Sequence, residues 1–240
     1  MKKRLNIPEK NLPITPLSLE EIREAAAQRV SRIKQEFTDG FEFITRYEKS
    51  VTVFGSARFV EGHPYYEKTR ALCKRIVSEL GYSIVTGGGP GIMEAANRGA
   101  FDAHGSSVGL TIKLPHEQAT NPYLTDHLDL YYFFVRKVCL SFCAEAYIFF
   151  PGGFGTLDEC FEILTLVQTR KIRSVPIILV GSEYWKDLEQ FIHKNLLDLG
   201  TIDRADINLY TITDNEDEIL EIIKHAPVRN GLKYSYDGKE

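Results

Sequence analysis

The stretch PGGFGTLDE, residues 151–159, places glycines that admit a ligand to the backbone just ahead of two carboxylates. It follows the apolar run AYIFF, which is typical of a strand buried on both faces. Two further glycine-containing stretches, FGSAR at 54–58 and TGGGPG at 86–91, also follow apolar runs. Backbone N–H groups at a helix N-terminus attract anions, and glycine lets a phosphate approach them closely. Three such turns at one sheet edge favour phosphate or nucleotide binding over simple tight turns.

The carboxylates admit two interpretations. Thr156 and Glu159 have the T-x-x-E spacing of a capping box, in which Glu159 would only close the helix start. Alternatively, Glu159 faces whatever binds the preceding glycines, and Glu94 repeats this arrangement after TGGGPG. A carboxylate beside a bound anion is unfavourable unless positive charge develops nearby, so the second interpretation implies a cationic intermediate.

Arg136 and Lys137 directly follow the apolar YYFFV, and we expect them to open a helix. Cations at a helix N-terminus oppose its dipole, which favours an anion-binding role over a solvated pair. Common nucleotide fingerprints do not fit the chain. GGGPGI has Ile92 in place of the last glycine of G-x-G-x-x-G, and no G-x-x-x-x-G-K-[ST] is present. A dinucleotide dehydrogenase and a P-loop NTPase are therefore disfavoured.

The elements that must position these residues alternate between strands and helices. Apolar strand candidates are separated by amphipathic helices, which predicts an α/β fold with a doubly wound, parallel, Rossmann-like sheet. A helix with a Ser18–Glu21 capping box precedes it, and its apolar face of Ile22, Ala26, Val30 and Ile33 should pack on the main domain. We expect a mobile arm at 1–16, a helical extension at 17–48, a nucleotide-binding catalytic domain at 49–226 and a polar tail at 227–240.

Composition narrows the class of protein. The 240 residues carry a net charge of −4, with 43% hydrophobic and 26% charged residues, so neither nucleic-acid nor membrane binding is indicated. The N-terminus has basic residues but no apolar core of a secretory signal. The four cysteines form no Cys-x-x-Cys pair, which predicts buried thiols, no zinc site and a cytoplasmic location.

These motifs resemble one known family. PGGFGTLDE, the upstream Arg-Lys pair and GGGPGIMEAANRGA are similar to the LOG ("lonely guy") family of nucleoside 5'-monophosphate phosphoribohydrolases. Its members are best known for releasing cytokinin bases in plants, and many bacterial relatives were labelled lysine decarboxylases. The resemblance covers about residues 50–225. GSAR, LPHEQ and Gly91–Glu94 (GIME, where the plant form has GLMG) match the bacterial branch.

The resemblance implies a role for each matching position. Arg136 and Glu159 would be the catalytic pair. The other substrate-binding residues that the resemblance implies would be Gly152, Gly153, Gly155, Thr156, Lys137, Thr165 and Glu117. The glycine loops and the residues beside them add Glu94, Ser56, Gly88 and Gly89 as candidate substrate-binding residues. The implied reaction hydrolyses the N-glycosidic bond of AMP or a related or N6-modified nucleotide. It gives the free base and ribose 5-phosphate through an oxocarbenium-like ribosyl cation. This chemistry requires no metal, and we expect no cofactor.

Two alternatives remain open from the sequence. A non-catalytic nucleotide or cofactor carrier, similar to molybdenum-cofactor carriers, would share the glycine loops without needing the Arg-Glu pair. A decarboxylase would need a lysine that holds pyridoxal phosphate, for which the chain offers no supporting motif. The family also implies a homodimer or larger oligomer. The helix LDECFEILTLVQTRK, apolar on more than one face, would lie near its interface.

Overall fold

The computed structural model of the protein describes residues 18–112 and 120–228, which form a seven-stranded parallel sheet flanked by helices. The predicted α/β, Rossmann-like fold with an N-terminal helix is confirmed. The predicted arm at 1–16, nearly all of the tail at 227–240, and Glu117 lie outside the described residues.

The strands are short and the helices alternate with them. The strands are β1 (Ser50–Phe54), β2 (Ser83–Thr86), β3 (Ser107–Ile112), β4 (Asp126–Leu130), β5 (Ala146–Phe149), β6 (Ile177–Leu179) and β7 (Thr211–Ile212). The α-helices are α1 (Leu19–Ile44), α2 (Pro64–Leu80), α3 (Ile92–Asp102), α4 (Phe133–Phe142), α5 (Phe154–Gln168), α6 (Ser182–Phe191) and α7 (Glu216–Lys224). A π-helical segment, Ile192–Leu197, continues α6, and a 3₁₀ segment spans Arg204–Asn208.

The strand order is β4-β3-β2-β1-β5-β6-β7, and every neighbouring pair is parallel. The order reverses between β1 and β5, where Phe54 pairs with Phe149 and their rings stack 4.9 Å apart. A crevice opens at the carboxyl ends of the strands at such a reversal, and ligands of doubly wound sheets bind there. The loops after β1 and β5 therefore border the expected site.

The sheet is buried on both faces, as parallel strands require. All five residues of β1 are buried, and so are all four of β5. One core cluster includes Val85, Tyr147 and Trp185, and a second includes Val53, Ile84 and Ile148. Both clusters include residues of β1, β2 and β5, the strands that lead into the three glycine loops.

The N-terminal helix α1 begins with the predicted capping box, in which the Ser18 hydroxyl accepts from the Glu21 N–H. The expectation that its whole apolar face packs on the main domain is wrong for the first half. Ile22 is 52% exposed and Val30 is 65% exposed, whereas packing against the core begins at Ile33. The helix is long enough for its first turns to extend past the sheet.

The boundary between β4 and α4 also differs from the expectation. The run LDLYYFF has strong strand propensity, yet β4 ends at Leu130 and the helix already begins at Phe133. The Glu36 carboxylate of α1 accepts hydrogen bonds from the N–H groups of Tyr131 and Tyr132 and so fixes the turn before the helix. Arg136 and Lys137 consequently lie one turn inside α4 and do not open it.

Candidate functional site

A cavity of about 800 Å³ lies at the carboxyl edge of the sheet, beside the reversal between β1 and β5. It is bordered by the first glycine loop (54–58) and the third glycine loop (151–156). The side chains of α4, α5 and α6 complete its wall. The residues that bear on chemistry are Ser56, Arg58, Arg136, Thr156, Asp158 and Glu159.

Ser56 joins the three glycine loops. Its N–H donates to the Pro151 carbonyl at 3.0 Å, and its carbonyl accepts from the Ile92 N–H at 3.0 Å. Its hydroxyl accepts from the Arg58 N–H at 3.1 Å. Ser56 therefore connects the first loop to the third loop and to the start of α3, which directly follows the second glycine loop (86–91), while it also lines the cavity.

The third glycine loop leaves its backbone open to the cavity. Helix α5 begins after Gly153, and no side chain caps its first N–H groups. A Cβ added at Gly153 or Gly155 would meet no atom within 4 Å. Free N–H groups at a helix start, with open space beside them, are suited to holding an anion.

The capping-box interpretation of Thr156 and Glu159 is wrong, because α5 begins at Phe154 with Gly153 as its N-cap, so that both residues lie inside the helix. Thr156 instead lies in the first turn and is buried, and its side chain occupies the place of a Cβ at Gly152. The Gly152 carbonyl accepts from the Tyr184 hydroxyl of α6 at 2.6 Å. This contact holds the third loop against the wall of the cavity.

In the second glycine loop, protein atoms fill the space beside Gly87, Gly88 and Gly91, although Gly87 also lines the cavity. A Cβ at Gly91, where φ is +73°, would collide with the backbone of Ser56 and Ala57, and a Cβ at Gly88 would lie 2.5 Å from Thr111. The Asn121 N–H donates to the Gly88 carbonyl at 2.9 Å, and its side chain donates to the Gly89 carbonyl at 3.1 Å. Gly88 and Gly89 therefore do not line the cavity.

Arg136 enters the cavity from α4 across the ends of β2 and β3. Its Nε donates to the Leu110 carbonyl at 2.7 Å, and its Nη2 donates to the Gly87 carbonyl at 3.3 Å. A side chain at Gly87 would occupy the position of this guanidinium. Burial lowers the pKa of Arg136, while the charge of Glu159 acts in the opposite direction.

Glu159 presents a buried carboxylate to the cavity. It is 7% exposed, and its Oε2 has no hydrogen-bond partner among the described residues. Burial raises the pKa of Glu159 to about 7, although the charges of Lys137 and Arg136 lower it. A buried carboxylate oxygen without a hydrogen-bond partner is costly to a fold, which favours a functional reason for it over a structural one.

Lys137 lies beside the cavity but does not line it. Its ammonium forms ion pairs with Asp158 at 2.6 Å and with Glu162 at 3.1 Å. Burial lowers its pKa, but the hydrogen bond to Asp158 and the charge of Glu159 outweigh this effect, so that the pKa is raised. Lys137 thus links α4 to α5 and acts on Glu159 through its charge.

Two other predicted site residues lie away from the cavity. The Glu94 carboxylate accepts from the Tyr66 hydroxyl of α2 at 2.9 Å, and neighbouring Met93 lines the cavity in its place. Thr165 is exposed in the last turn of α5, where its hydroxyl donates to the Phe161 carbonyl. Glu94 on α3 and Thr165 on α5 do not line the cavity. Sequence spacing alone does not reveal which face of a helix is turned toward a cavity.

The cavity also contains residues that the sequence did not single out. Arg58 ends the first glycine loop without a motif that marks its side chain, and Tyr184 lies in α6 without any local motif. Phe154 is 94% exposed at the start of α5 and also lines the cavity.

Within 18–112 and 120–228, no group of three or more His, Cys, Asp or Glu side chains is arranged to hold a metal ion. All four cysteines, which lie in this part of the chain, are buried free thiols. No helix in the same ranges is long and apolar enough to cross a membrane.

The fold and the cavity together define the class of protein. It is a Rossmann-like α/β protein whose candidate site lies where the strand order of a parallel sheet reverses. The family model described as "Possible lysine decarboxylase" matches residues 93–223, more than half of the chain. The chain therefore belongs to this family, the LOG family, as its motifs suggested.

Curated relatives lie at moderate identity. A cytokinin riboside 5'-monophosphate phosphoribohydrolase of Rhodococcoides fascians is 28% identical over 149 residues, which cover 60% of this chain and 74% of the relative. A pyrimidine/purine nucleotide 5'-monophosphate nucleosidase of Escherichia coli K12 is 28% identical over 148 residues, which cover 55% of this chain. The match spans only 33% of that longer relative.

Solved structures share the fold. The structural-genomics target TM1055 aligns with a TM-score of 0.57 and 27% identity, covering 73% of this chain and 98% of that chain. The molybdenum cofactor binding protein of Rippkaea orientalis aligns with a TM-score of 0.55 and 22% identity, covering 74% and 96%. At that identity the second likeness concerns the fold alone.

Proposed function

We propose that this protein hydrolyses the N-glycosidic bond of a nucleoside 5'-monophosphate and releases the free base and ribose 5-phosphate. The observation that carries the proposal is the buried carboxylate of Glu159, whose Oε2 has no hydrogen-bond partner among the described residues, in a cavity that also holds an open helix N-terminus. The names of the curated relatives, which act on nucleotide 5'-monophosphates, support the same reaction class.

The chemistry explains why an acid stands beside an anion site. As the bond between C1' and the base nitrogen breaks, its electron pair leaves with the base and positive charge develops on the ribosyl ring. Ionised Glu159 stabilises that charge and accepts a proton from the water that attacks C1'. The departing base nitrogen gains a proton, which completes the balance of water across the broken bond.

Binding of the phosphate positions the sugar. The N–H groups at the start of α5, together with Thr156, would hold the 5'-phosphate, since they are open to the cavity. Arg136 would interact with the ribose or base from the opposite wall, held by the Leu110 and Gly87 carbonyls. Binding energy from the phosphate, remote from C1', then contributes to catalysis. A nucleoside without phosphate should react much more slowly.

The direct experiment incubates the purified protein with a panel of nucleoside 5'-monophosphates, including AMP and N6-substituted adenylates. Chromatography separates the free bases, and a coupled assay measures ribose 5-phosphate. We expect both products in equal amounts from at least one nucleotide, and far slower release from the matching nucleoside. A protein that releases no base from any member of the panel would contradict the proposal.

A second candidate is a non-catalytic carrier of a phosphate-bearing cofactor, because solved neighbours include proteins named molybdenum cofactor binding or carrier proteins. A carrier has no need of a buried carboxylate at the reacting centre, which favours the enzyme. Tight binding of such a cofactor together with no base release would favour the carrier.

We further propose that the protein acts as a homodimer or larger closed oligomer with α5 near the interface. Helix α5 buries Cys160, Ile163 and Val167 in the core, while Phe161 on another face is 36% exposed. A second subunit would cover this apolar side chain. Light scattering at micromolar concentration tests the proposal, and a fully active species near 27.3 kDa would refute it.

A further inference from the structure

The charged side chains that line the cavity differ in how free they are to bind a ligand. Among the described residues, its cationic lining consists of Arg58 and Arg136, and its anionic lining of Asp158 and Glu159. A phosphate monoester carries a charge of about −1.5 to −2 at pH 7, so its binding here requires a cation that is free to approach it.

Arg136 and Lys137 are already engaged. Arg136 is directed by its Nε and Nη2 hydrogen bonds to the carbonyls of Leu110 and Gly87. Lys137 is paired with two carboxylates on α5 and does not line the cavity. Neither side chain is therefore free to move toward the start of α5 without losing contacts that it already makes.

Arg58 has the opposite character. Its side chain is exposed at the cavity and forms no ion pair with any residue in 18–112 or 120–228. Its backbone is nevertheless fixed, because its N–H donates to the Ser56 hydroxyl and the next residue, Phe59, stacks on His63 at 4.1 Å. A held backbone with a free guanidinium is a pre-organised counterion for a ligand.

The two loops that would share the ligand are directly connected. The N–H of Ser56, two residues before Arg58, donates to the carbonyl of Pro151 at the start of the third glycine loop. The buried Oε2 of Glu159, which has no hydrogen-bond partner in the part of the chain that the structure describes, lies in the same cavity and independently indicates that a ligand belongs there.

We propose that Arg58 is a substrate-binding residue that pairs with the phosphate held at the start of α5. This assignment rests on the proposed function and deepens it: the first glycine loop supplies the charge, and the third supplies the N–H groups. Arginine suits the task because its planar fork pairs with two phosphate oxygens at once. Arg58 would thus discriminate a nucleotide from the matching nucleoside.

The test compares Arg58→Ala and Arg58→Lys with Arg204→Ala, which removes the same charge from an exposed position that does not line the cavity. Calorimetry measures binding of ribose 5-phosphate and of free adenine to each intact protein. Removal of a charged hydrogen bond should weaken ribose 5-phosphate binding by about 10- to 100-fold in Arg58→Ala. Adenine binding and the melting temperature should stay unchanged, Arg58→Lys should lie between, and Arg204→Ala should match the wild type.

Unchanged ribose 5-phosphate binding in Arg58→Ala would overturn the inference. An equal loss of adenine binding would also overturn it, since it would indicate a distorted cavity. Base release by the wild-type protein is recorded separately. Failure of base release alone contradicts the hydrolase, while normal base release by Arg58→Ala at low AMP concentration contradicts only the role of Arg58.

Discussion

The second and third glycine loops resemble each other in sequence but differ in what fills the space that glycine leaves. At 86–91 the neighbours are the protein's own atoms: the backbone of Ser56 and Ala57, Thr111, and the guanidinium of Arg136. At Gly153 and Gly155 nothing lies within 4 Å. Glycine therefore has two different structural roles in this chain. In the second loop it allows the protein to pack against its own backbone, and in the third it leaves room for a ligand.

The largest effect that this comparison predicts is on folding, from Gly91→Ala. The added Cβ would collide with the Ser56 carbonyl, and φ at this position is +73°. Backbone strain and overpacking together should lower the free energy of unfolding by about 4 kcal/mol. Urea denaturation measures this loss. A variant as stable as the wild type would show that the second loop can move aside, and would contradict the view that close packing fills this loop.

The next effect concerns the carboxylate that follows the third loop. Glu159→Gln keeps the shape of the side chain but removes the charge that would stabilise the ribosyl cation. We expect kcat to fall about 100-fold or more, as for other losses of transition-state charge stabilisation. Steady-state base release measures the change, with circular dichroism as the control for folding. A folded variant with near-normal turnover would exclude Glu159 from catalysis.

The raised pKa of Glu159 predicts a pH dependence of stability. Its folded pKa of about 7 exceeds its ordinary value of 4.5, so between these values the folded protein keeps a proton that the unfolded chain has lost. Stability should therefore fall as pH rises from 5 to 8, by about 2 kcal/mol for this one group. Glu159→Gln should lose that decline.

Urea titrations of both proteins at pH 5 and pH 8 measure the difference. An equal decline in the wild type and in Glu159→Gln would show that the carboxylate is not the group that titrates. The same ionisation should appear in kcat/KM, which is expected to rise with pH up to about 7, because the ionised carboxylate is the active form.

The smallest effect on folding should come from the third loop. Gly155 lies in the first turn of α5, and its Cβ would enter open space. Gly155→Ala should raise stability by about 0.5 kcal/mol, because alanine loses less backbone freedom on folding than glycine does. Thermal unfolding measures the shift. Clear destabilisation would show that protein atoms, and not open space, surround this position.

Sequence patterns were sufficient for the sheet, for the Ser18–Glu21 cap and for the motifs that brought Arg136, Thr156 and Glu159 to one cavity. Alternation of apolar strands with amphipathic helices is a local signal, and parallel sheets bury both faces of every strand. Family motifs of this kind are short and fall at strand ends, so their approximate location follows from the fold.

Contacts between residues far apart in the chain determine where α4 begins and which glycine loop is open to the cavity. The aromatic run before Arg136 has strand propensity, yet Glu36 of the distant α1 fixes a turn there and the run becomes a helix start. Whether a glycine loop is open depends on Arg136 and Asn121, which reach the second loop from elsewhere in the chain. Spacing along the chain does not report such contacts, so the sequence alone does not show that Gly88 and Gly89 lie away from the cavity.

One measurement tests the central claim, which is that the third glycine loop binds the phosphate whereas the glycines of the second loop allow close packing within the protein. Calorimetry compares ribose 5-phosphate binding to wild-type protein and to Gly155→Ala, with the melting temperature recorded for both. The account predicts a variant at least as stable as the wild type that binds ribose 5-phosphate about 10-fold more weakly or worse, because the new methyl group occupies the space of the phosphate. Undiminished binding by a stable Gly155→Ala protein would contradict it.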